Sequence, residues 1–299
     1  MNAPQRLSFV LIFFAFSLLI NCNPGKQSTL VETQNWIHGS ADCSTNKDPL
    51  IQVVSVSATT WILRQNKCIH YEAPFLFLLV GANKALLVDT GATEAEDTFP
   101  LFRVVNSLIQ LSSSKSLPLV VAHSHNHSDH HAGDGQFAGK PNTVVVGLSV
   151  NEVKTFFGIE DWPEGNSVFD LGNRVLDIIP IPGHEKSSLA FYDRNTKLLL
   201  TGDTFYPGRL YIEDWAAYKK SIRKLRQFTV THSVSYLLGN HIEMSNAAGI
   251  DYPVGTTYQP EECKLSLKAT DLNLLLDALE NLGDTPTKEV YPKFIIYPK

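Results

Sequence analysis

The stretch LVVAHSHNHSDHHAGDG, Leu119 to Gly135, runs from an apolar segment straight into five of the chain's ten histidines and two of its aspartates. A histidine run in a free loop binds metal without fixed geometry. Here the imidazoles begin where a buried strand is expected to end, and strand ends hold side chains more rigidly than free loops do. His125 and His127 stand on alternate residues and can chelate one ion, while Asp129 and His130 face a second. Zinc takes a tetrahedral set of nitrogen and oxygen donors at about 2.0–2.2 Å. A local cluster cannot fill two such shells, so further donors must come from elsewhere.

Three later segments offer them, each at the end of an apolar run. Pro180-Ile-Pro-Gly-His184 closes in a histidine, Leu199-Leu-Thr-Gly-Asp203 in an aspartate, and Leu237-Leu-Gly-Asn-His241 in another histidine. Each is weak alone, because an aspartate after a strand commonly caps a turn. In this order, behind the cluster, they are a strong signal together.

The apolar periodicity supplies the frame. Short β-rich runs at 51–56, 60–64, 74–80 and 84–88 read as a meander, with Gly81-Ala82-Asn83 as its last turn. A helix is expected over about 95–111, with Phe102, Val105, Leu108 and Ile109 on one face and Pro100 in its first turn. Strands at 117–122 and 143–147, a helix at 149–157, and strands at 175–181, 188–192 and 197–200 follow. Asp214 is placed to cap a basic helix, before a strand at 235–238, a helix at 265–282 and a last strand at 294–297. Two batches of strands, each followed by helices, suggest an α/β (α+β) chain of two sheets packed face to face with helices outside.

The pattern His125-x-His127-x-Asp129-His130, then His184, Asp203 and His241, resembles the metallo-β-lactamase superfamily of metallohydrolases. The run Leu86-Leu-Val-Asp-Thr-Gly91 is similar to that family's early strand motif, and Gly133 matches its glycine after the metal run; Ser124 stands where the family usually has Thr. The resemblance implies a four-layer αββα sandwich of two mixed sheets. It implies two Zn2+ (with Fe or Mn as alternatives), the first on His125, His127 and His184, the second on Asp129, His130 and His241, and Asp203 bridging both. It also implies metal-assisted hydrolysis, with Asp129 as catalytic residue holding the nucleophilic water, and Asp89 orienting a metal ligand. Asp203 favours esters, thioesters or lactones over β-lactams, whose hydrolases in this family lack a bridging aspartate. A β-lactam-hydrolysing enzyme and a mononuclear iron dioxygenase of the same fold are the alternatives. His123 falls outside the motif, and His131 faces either substrate or solvent. Tyr206 and Tyr211 are candidates to polarise a carbonyl, with a buried, backbone-satisfied tyrosine as the alternative for Tyr206. Lys186 and Asn240 adjoin ligands and are candidates for substrate contact.

Composition sets the remaining bounds. Of the 299 residues, 43% are hydrophobic and 18% charged, with a net charge of -5, so the chain is globular and has no basic footprint for nucleic acid. Lys219, Lys220, Arg223, Lys224 and Arg226 read as the solvated face of an amphipathic helix. Arg6 followed by the apolar run 9–20 has the layout of a secretory signal, too short to span a bilayer. Leu19-Ile-Asn-Cys22 resembles a bacterial lipobox, making Cys22 a possible lipid anchor to a membrane, although Asn21 departs from the usual small residue. Cleavage nearby with Cys22 discarded is the alternative, and both imply a periplasmic or otherwise exported protein acting on a small molecule. The expected organisation is a signal over 1–22, a tether over 23–48 and one hydrolase domain over 49–299. Export permits disulfides, and Cys43, Cys68 and Cys263 allow one bridge at most.

Overall fold

The computed structural model describes residues 31–299; the expected signal and Cys22 lie outside them. The first sheet begins as the expected meander. β1 (Ile51–Ser57), β2 (Thr60–Gln65), β3 (Phe75–Val80) and β4 (Ala85–Val88) pair antiparallel in turn. β5 (Leu119–Ala122) and β6 (Thr143–Val145) then add parallel to β4, which makes the sheet mixed. The second sheet repeats the scheme. β7 (Ser167–Asp170), β8 (Val175–Pro180), β9 (Leu189–Asp193) and β10 (Leu198–Gly202) form a meander, followed in space by β12 (Tyr236–Gly239), parallel to β10, and the two-residue edge β13 (Ser266–Leu267).

Side chains alternate along a strand, so each strand serves two cores. In β3, Phe75, Phe77 and Leu79 join Leu176, Ile178, Phe191 and Leu200 of the second sheet in the central core. The intervening Leu76, Leu78 and Val80 pack outward with Leu101, Val105 and Ile109 of helix α1 (Leu101–Ser112). On the far side, Ile179, Tyr192, Leu199 and Leu237 pack with Tyr218, Ile222 and Leu225 of α4 (Trp215–Thr231) and Leu272, Leu275 and Leu279 of α5 (Ala269–Leu282). Helix, sheet, sheet and helices are therefore stacked in four layers, and the central strands are apolar throughout because both their faces are buried.

Several expectations need correction. α1 begins at Leu101 rather than near Ala95; Pro100 disfavours helical backbone at Phe99, whose ring is buried in the outer core instead. The helix expected from Leu265 starts at Ala269, because Ser266–Leu267 pairs with Leu237–Leu238 as a strand. A third sheet, β11 (Arg209–Ile212), β15 (Ile295–Pro298) and β14 (Glu289–Val290), was not anticipated; its central pairing joins four-residue segments far apart in sequence. The basic face of α4 is not simply solvated. Lys219 is buried, with Nζ donating to the Gly283 carbonyl, Lys224 Nζ donates to the Pro163 carbonyl at 2.7 Å, and Arg223 pairs with Glu280.

Residues 31–48, expected as part of a tether, are bound into the fold. Trp36 is buried edge-on to Phe75, and the Ile37 and His38 carbonyls accept from Arg64 Nη1 and Gln259 N. A disulfide joins Cys43 to Cys68 across 25 residues, leaving Cys263 free and half-buried.

Candidate metal centre

β5 lies between β4 and β6, and its carboxyl end delivers His125 and His127 before the single helical turn α2 (Ser128–His131) presents Asp129 and His130. The short helix α3 (Val150–Phe157) follows β6 and packs Phe157 against Phe169 of β7. Main-chain bonds from Thr90 N to the His130 carbonyl and from Ala132 N to the Gly91 carbonyl tie this loop to the end of β4. The other three donors arrive from the second sheet, after β8, β10 and β12. Gly202, just before Asp203, has φ +54°, and a Cβ there would lie 2.8 Å from Ser124 Cβ. A bare backbone is what lets the two sheets' loops meet at this point.

The seven side chains fall into two groups, His125 with His127 and His184, and Asp129 with His130, Asp203 and His241. In the first, His125 Nε2, His127 Nδ1 and His184 Nε2 are 3.0, 3.1 and 3.2 Å apart. Tetrahedral zinc with bonds of about 2.0–2.1 Å would separate its donors by roughly 3.3 Å. In the second, Asp129 Oδ2 lies 3.2 Å from Nε2 of both His130 and His241. Asp203 Oδ2 is 3.5 Å from both of those atoms and 3.9 Å from His184 Nε2, which places it between the groups.

Hydrogen bonds on the far sides of the rings decide where their lone pairs point. His184 Nδ1 donates to the Tyr211 carbonyl at 2.8 Å and His241 Nδ1 to the Glu72 carbonyl at 3.0 Å. Carbonyls only accept, so each Nδ1 carries a proton and Nε2 is the nitrogen that turns inward, free to offer its lone pair once a metal displaces any proton there. Asp203 Oδ1 is buried with no hydrogen-bond partner. Converging donors and an orphaned carboxylate oxygen are costly unless a cation satisfies them, so the donor set fits bound metal.

The electrostatics divide along the same line. Burial pushes His125 well below the ordinary histidine range, and neighbouring His130, His184 and His127 push it further. Burial likewise lowers His184. Around the carboxylates the opposite holds. Burial disfavours a charged His241, but Asp203 and Asp129 outweigh it and raise the ring to about 9. Burial also opposes ionisation of Asp203, yet His241 and His130 hold its carboxyl at about 2. Burial thus favours neutral His125 and His184 in the first group, whereas in the second the aspartates and the histidines stabilise each other's charged forms.

Asp89 organises the rear of the site. Its φ of +68° turns the side chain back, so that Oδ1 accepts from Ser124 N at 2.7 Å and Oδ2 from Ser124 Oγ at 2.8 Å. Oδ2 also receives His130 Nδ1 at 3.1 Å and Asn240 Nδ2 at 2.6 Å. Asn240 is buried and its Nδ2 is shared between Asp89 and the Phe75 carbonyl, so it braces Asp89 and does not line the cavity over the donors. Tyr206 is corrected similarly: it is buried, and its hydroxyl donates to the Arg209 carbonyl and approaches Glu243 Oε2, leaving nothing to offer a carbonyl. His123 is buried against Asp134 at 2.9 Å, and His131 packs edge-on to His123 rather than lining the cavity over the donors. Lys186 is exposed beside a separate groove.

The family model described as the metallo-beta-lactamase superfamily matches residues 73–238. The chain belongs to the metallo-beta-lactamase superfamily. Among curated relatives, an acyl-coenzyme A thioesterase of Homo sapiens is 26% identical over 48% of this chain and 62% of its own length. A hydroxyacylglutathione hydrolase of Mesorhizobium japonicum is 24% identical over 57% of this chain and 64% of its own. The chain therefore spans somewhat under two thirds of these relatives. In fold it is similar to the metallo-beta-lactamase of Pontibacter korlensis, with a TM-score of 0.52 and 18% identity over 77% of this chain and 99% of that one. A metallo-beta-lactamase of Erythrobacter litoralis gives 0.54 and 16% over 79% and 99%. This member of the superfamily carries a His/Asp cluster that could hold metal.

A cavity of about 140 Å3 opens over the donors. Its walls include residues that sequence reasoning did not single out: Lys67 and Glu72 from the β2–β3 loop, Arg209 from β11, and Glu243, Val254 and Gln259 from the irregular segment after His241. Arg209 is buried and pairs with Glu243 and Asp251 at 2.7 Å. None of these residues sits in a spacing motif, and their meeting depends on chain segments distant in sequence.

Proposed function

We propose that the protein is an exported dinuclear zinc hydrolase of esters, thioesters or lactones. The observation that carries the reading is Asp203, whose Oδ2 faces histidines of both groups while Oδ1 has no partner, the arrangement expected of a carboxylate shared by two ions. His125, His127 and His184 would hold one ion and Asp129, His130 and His241 the other. Zinc ions held there supply Lewis-acid polarisation and bring the pKa of water from 15.7 toward about 7. The chain's own groups do the positioning. Asp129, partly open to the cavity, is placed to accept a hydrogen bond from the attacking water and aim its lone pair at the substrate carbonyl. Asp89 keeps the proton on His130 Nδ1, and backbone carbonyls do the same for His184 and His241.

The choice of ester or thioester draws support from relatives named as an acyl-coenzyme A thioesterase and a hydroxyacylglutathione hydrolase. Export draws support from the charged and apolar N-terminal layout and from the Cys43–Cys68 disulfide, which suits an oxidising compartment. A lipid on Cys22 would tether the protein to the outer side of a membrane. The test is a panel of esters, thioesters, lactones and a chromogenic cephalosporin against metal-analysed protein. Two zinc ions per chain and turnover of the oxoester, thioester or lactone members are expected. If His125→Ala left metal content and every activity unchanged, the dinuclear reading would be wrong.

A further inference from the structure

Five cationic side chains are buried among the described residues: Arg64, Lys67, Arg174, Arg209 and Lys219. Four have a carboxylate partner, in Glu262, Asp193, Glu243 with Asp251, and Asp284 respectively. Lys67 forms no such pair; its Nζ donates at 2.7 Å to the Tyr71 carbonyl alone. An ammonium has three protons to place, and a buried charge without a counter-ion is costly. Lys67 also lines the same cavity as His127, Asp129, His184, Asp203 and His241. Burial and nearby Arg64 pull its pKa down to about 8, against Glu262, Glu72 and Glu243, so it stays largely protonated at neutral pH.

A second unsatisfied group stands in the same wall. Gln259 is 3% exposed, and its Oε1 is buried without a partner. The segment carrying Gln259 is pinned over Lys67. Gln259 N donates to the His38 carbonyl, and a Cβ on Gly39 would lie 1.9 Å from the Thr257 carbonyl oxygen and 2.8 Å from Lys67 Cβ. The Lys67 stem is therefore held against Gly39, and the buried residue shares the cavity wall with the strap at 253–259.

We propose that Lys67 and Gln259 form a subsite for a carboxylate carried by the substrate, close to its scissile bond. The ammonium supplies the charge and the side-chain amide, whose oxygen and nitrogen can exchange places, supplies an N–H to the second carboxylate oxygen. A small monoanion fits better than a phosphate, because the cavity is only about 140 Å3 and Glu72 and Glu243 share its wall. The reading of the reacting centre as an ester or thioester hydrolase is assumed only for the kinetic half of the test.

In the binding half, acetate is titrated calorimetrically into metal-loaded wild type, Lys67→Met and Lys67→Arg, with inorganic phosphate in parallel. Binding at least ten-fold weaker in Lys67→Met, retained in Lys67→Arg, and weaker for phosphate than for acetate is the expected result. Undiminished binding to Lys67→Met, no binding to wild type, or tighter binding of phosphate would each overturn the subsite, whether or not any ester is hydrolysed. In the kinetic half, discrimination by kcat/KM between a carboxylated ester and its neutral methyl-ester counterpart should fall at least ten-fold in Lys67→Met through KM, and survive in Lys67→Arg. Unchanged discrimination would also overturn it. Should Lys67→Met not fold, Gln259→Leu takes its place, with a loss of at least three-fold expected in both halves and no loss counting against the subsite.

Discussion

At the scale of single residues, the site is governed by what stands behind the metal donors. Asp89 receives four hydrogen bonds from Ser124, His130 and Asn240, and it holds a left-handed backbone that asparagine also tolerates. Asp89→Asn should therefore keep the turn while removing the charge that orients His130. Zinc affinity at the Asp129–His130–His241 group is expected to drop about 10–100-fold, as for lost outer partners of metal ligands. A chelator competition showing wild-type affinity would contradict this role. Gly202 is the other sensitive point. Alanine there meets Ser124 Cβ at 2.8 Å in a positive-φ conformation, and should cost about 1–3 kcal/mol in a denaturant titration while shifting Asp203. The residue pattern, read with its family resemblance, picked out seven side chains that converge here, with Asp129 setting the register of His-x-His-x-Asp-His. It was not enough for Tyr206 or Asn240, whose hydroxyl and side-chain amide N–H groups bond to partners that only the fold supplies.

At the scale of elements, most strands were readable because their apolar runs are bounded by turn residues, and their ends then shifted by only a residue or two. Elements that failed to announce themselves are short and depend on pairing. Arg209–Ile212 is a strand because Ile295–Pro298 lies beside it, and Ser266–Leu267 because Leu237–Leu238 does. The disulfide belongs to this scale as well. It ties the segment before β1 to the β2–β3 loop, next to Lys67 and a few residues before the Glu72 carbonyl that orients His241. Closing a loop of 25 residues is worth about 3–4 kcal/mol. Reduction, or paired Cys43→Ser and Cys68→Ser replacement, should lower Tm by on the order of 10 °C in a domain of this size. A melting curve indifferent to reductant would show that the other contacts of residues 31–48 suffice.

At the scale of the whole molecule, the metal centre is where the two sheets are joined. His125, His127, Asp129 and His130 come from the carboxyl end of a first-sheet strand, and His184, Asp203 and His241 from the ends of three second-sheet strands. Bound metal should thus act as a cross-link between halves. At free zinc about 1,000-fold above its dissociation constant, one site adds about 4 kcal/mol, and chelation should remove it as a concentration-dependent fall in Tm. An unchanged melting temperature on complete metal removal would contradict that coupling. The sequence by itself determined the layered α/β architecture and the donor set, since both are written in local patterns: apolar runs of strand length, and metal-binding residue types placed at their ends. Only the tertiary structure decided which cysteines pair, that residues 31–48 pack, that the basic helix face is tied to its neighbours, and that Lys67 and Gln259 line one cavity with the donors. Those outcomes depend on contacts between segments up to some two hundred residues apart, and hydrophobic periodicity carries no record of which distant surfaces will face each other.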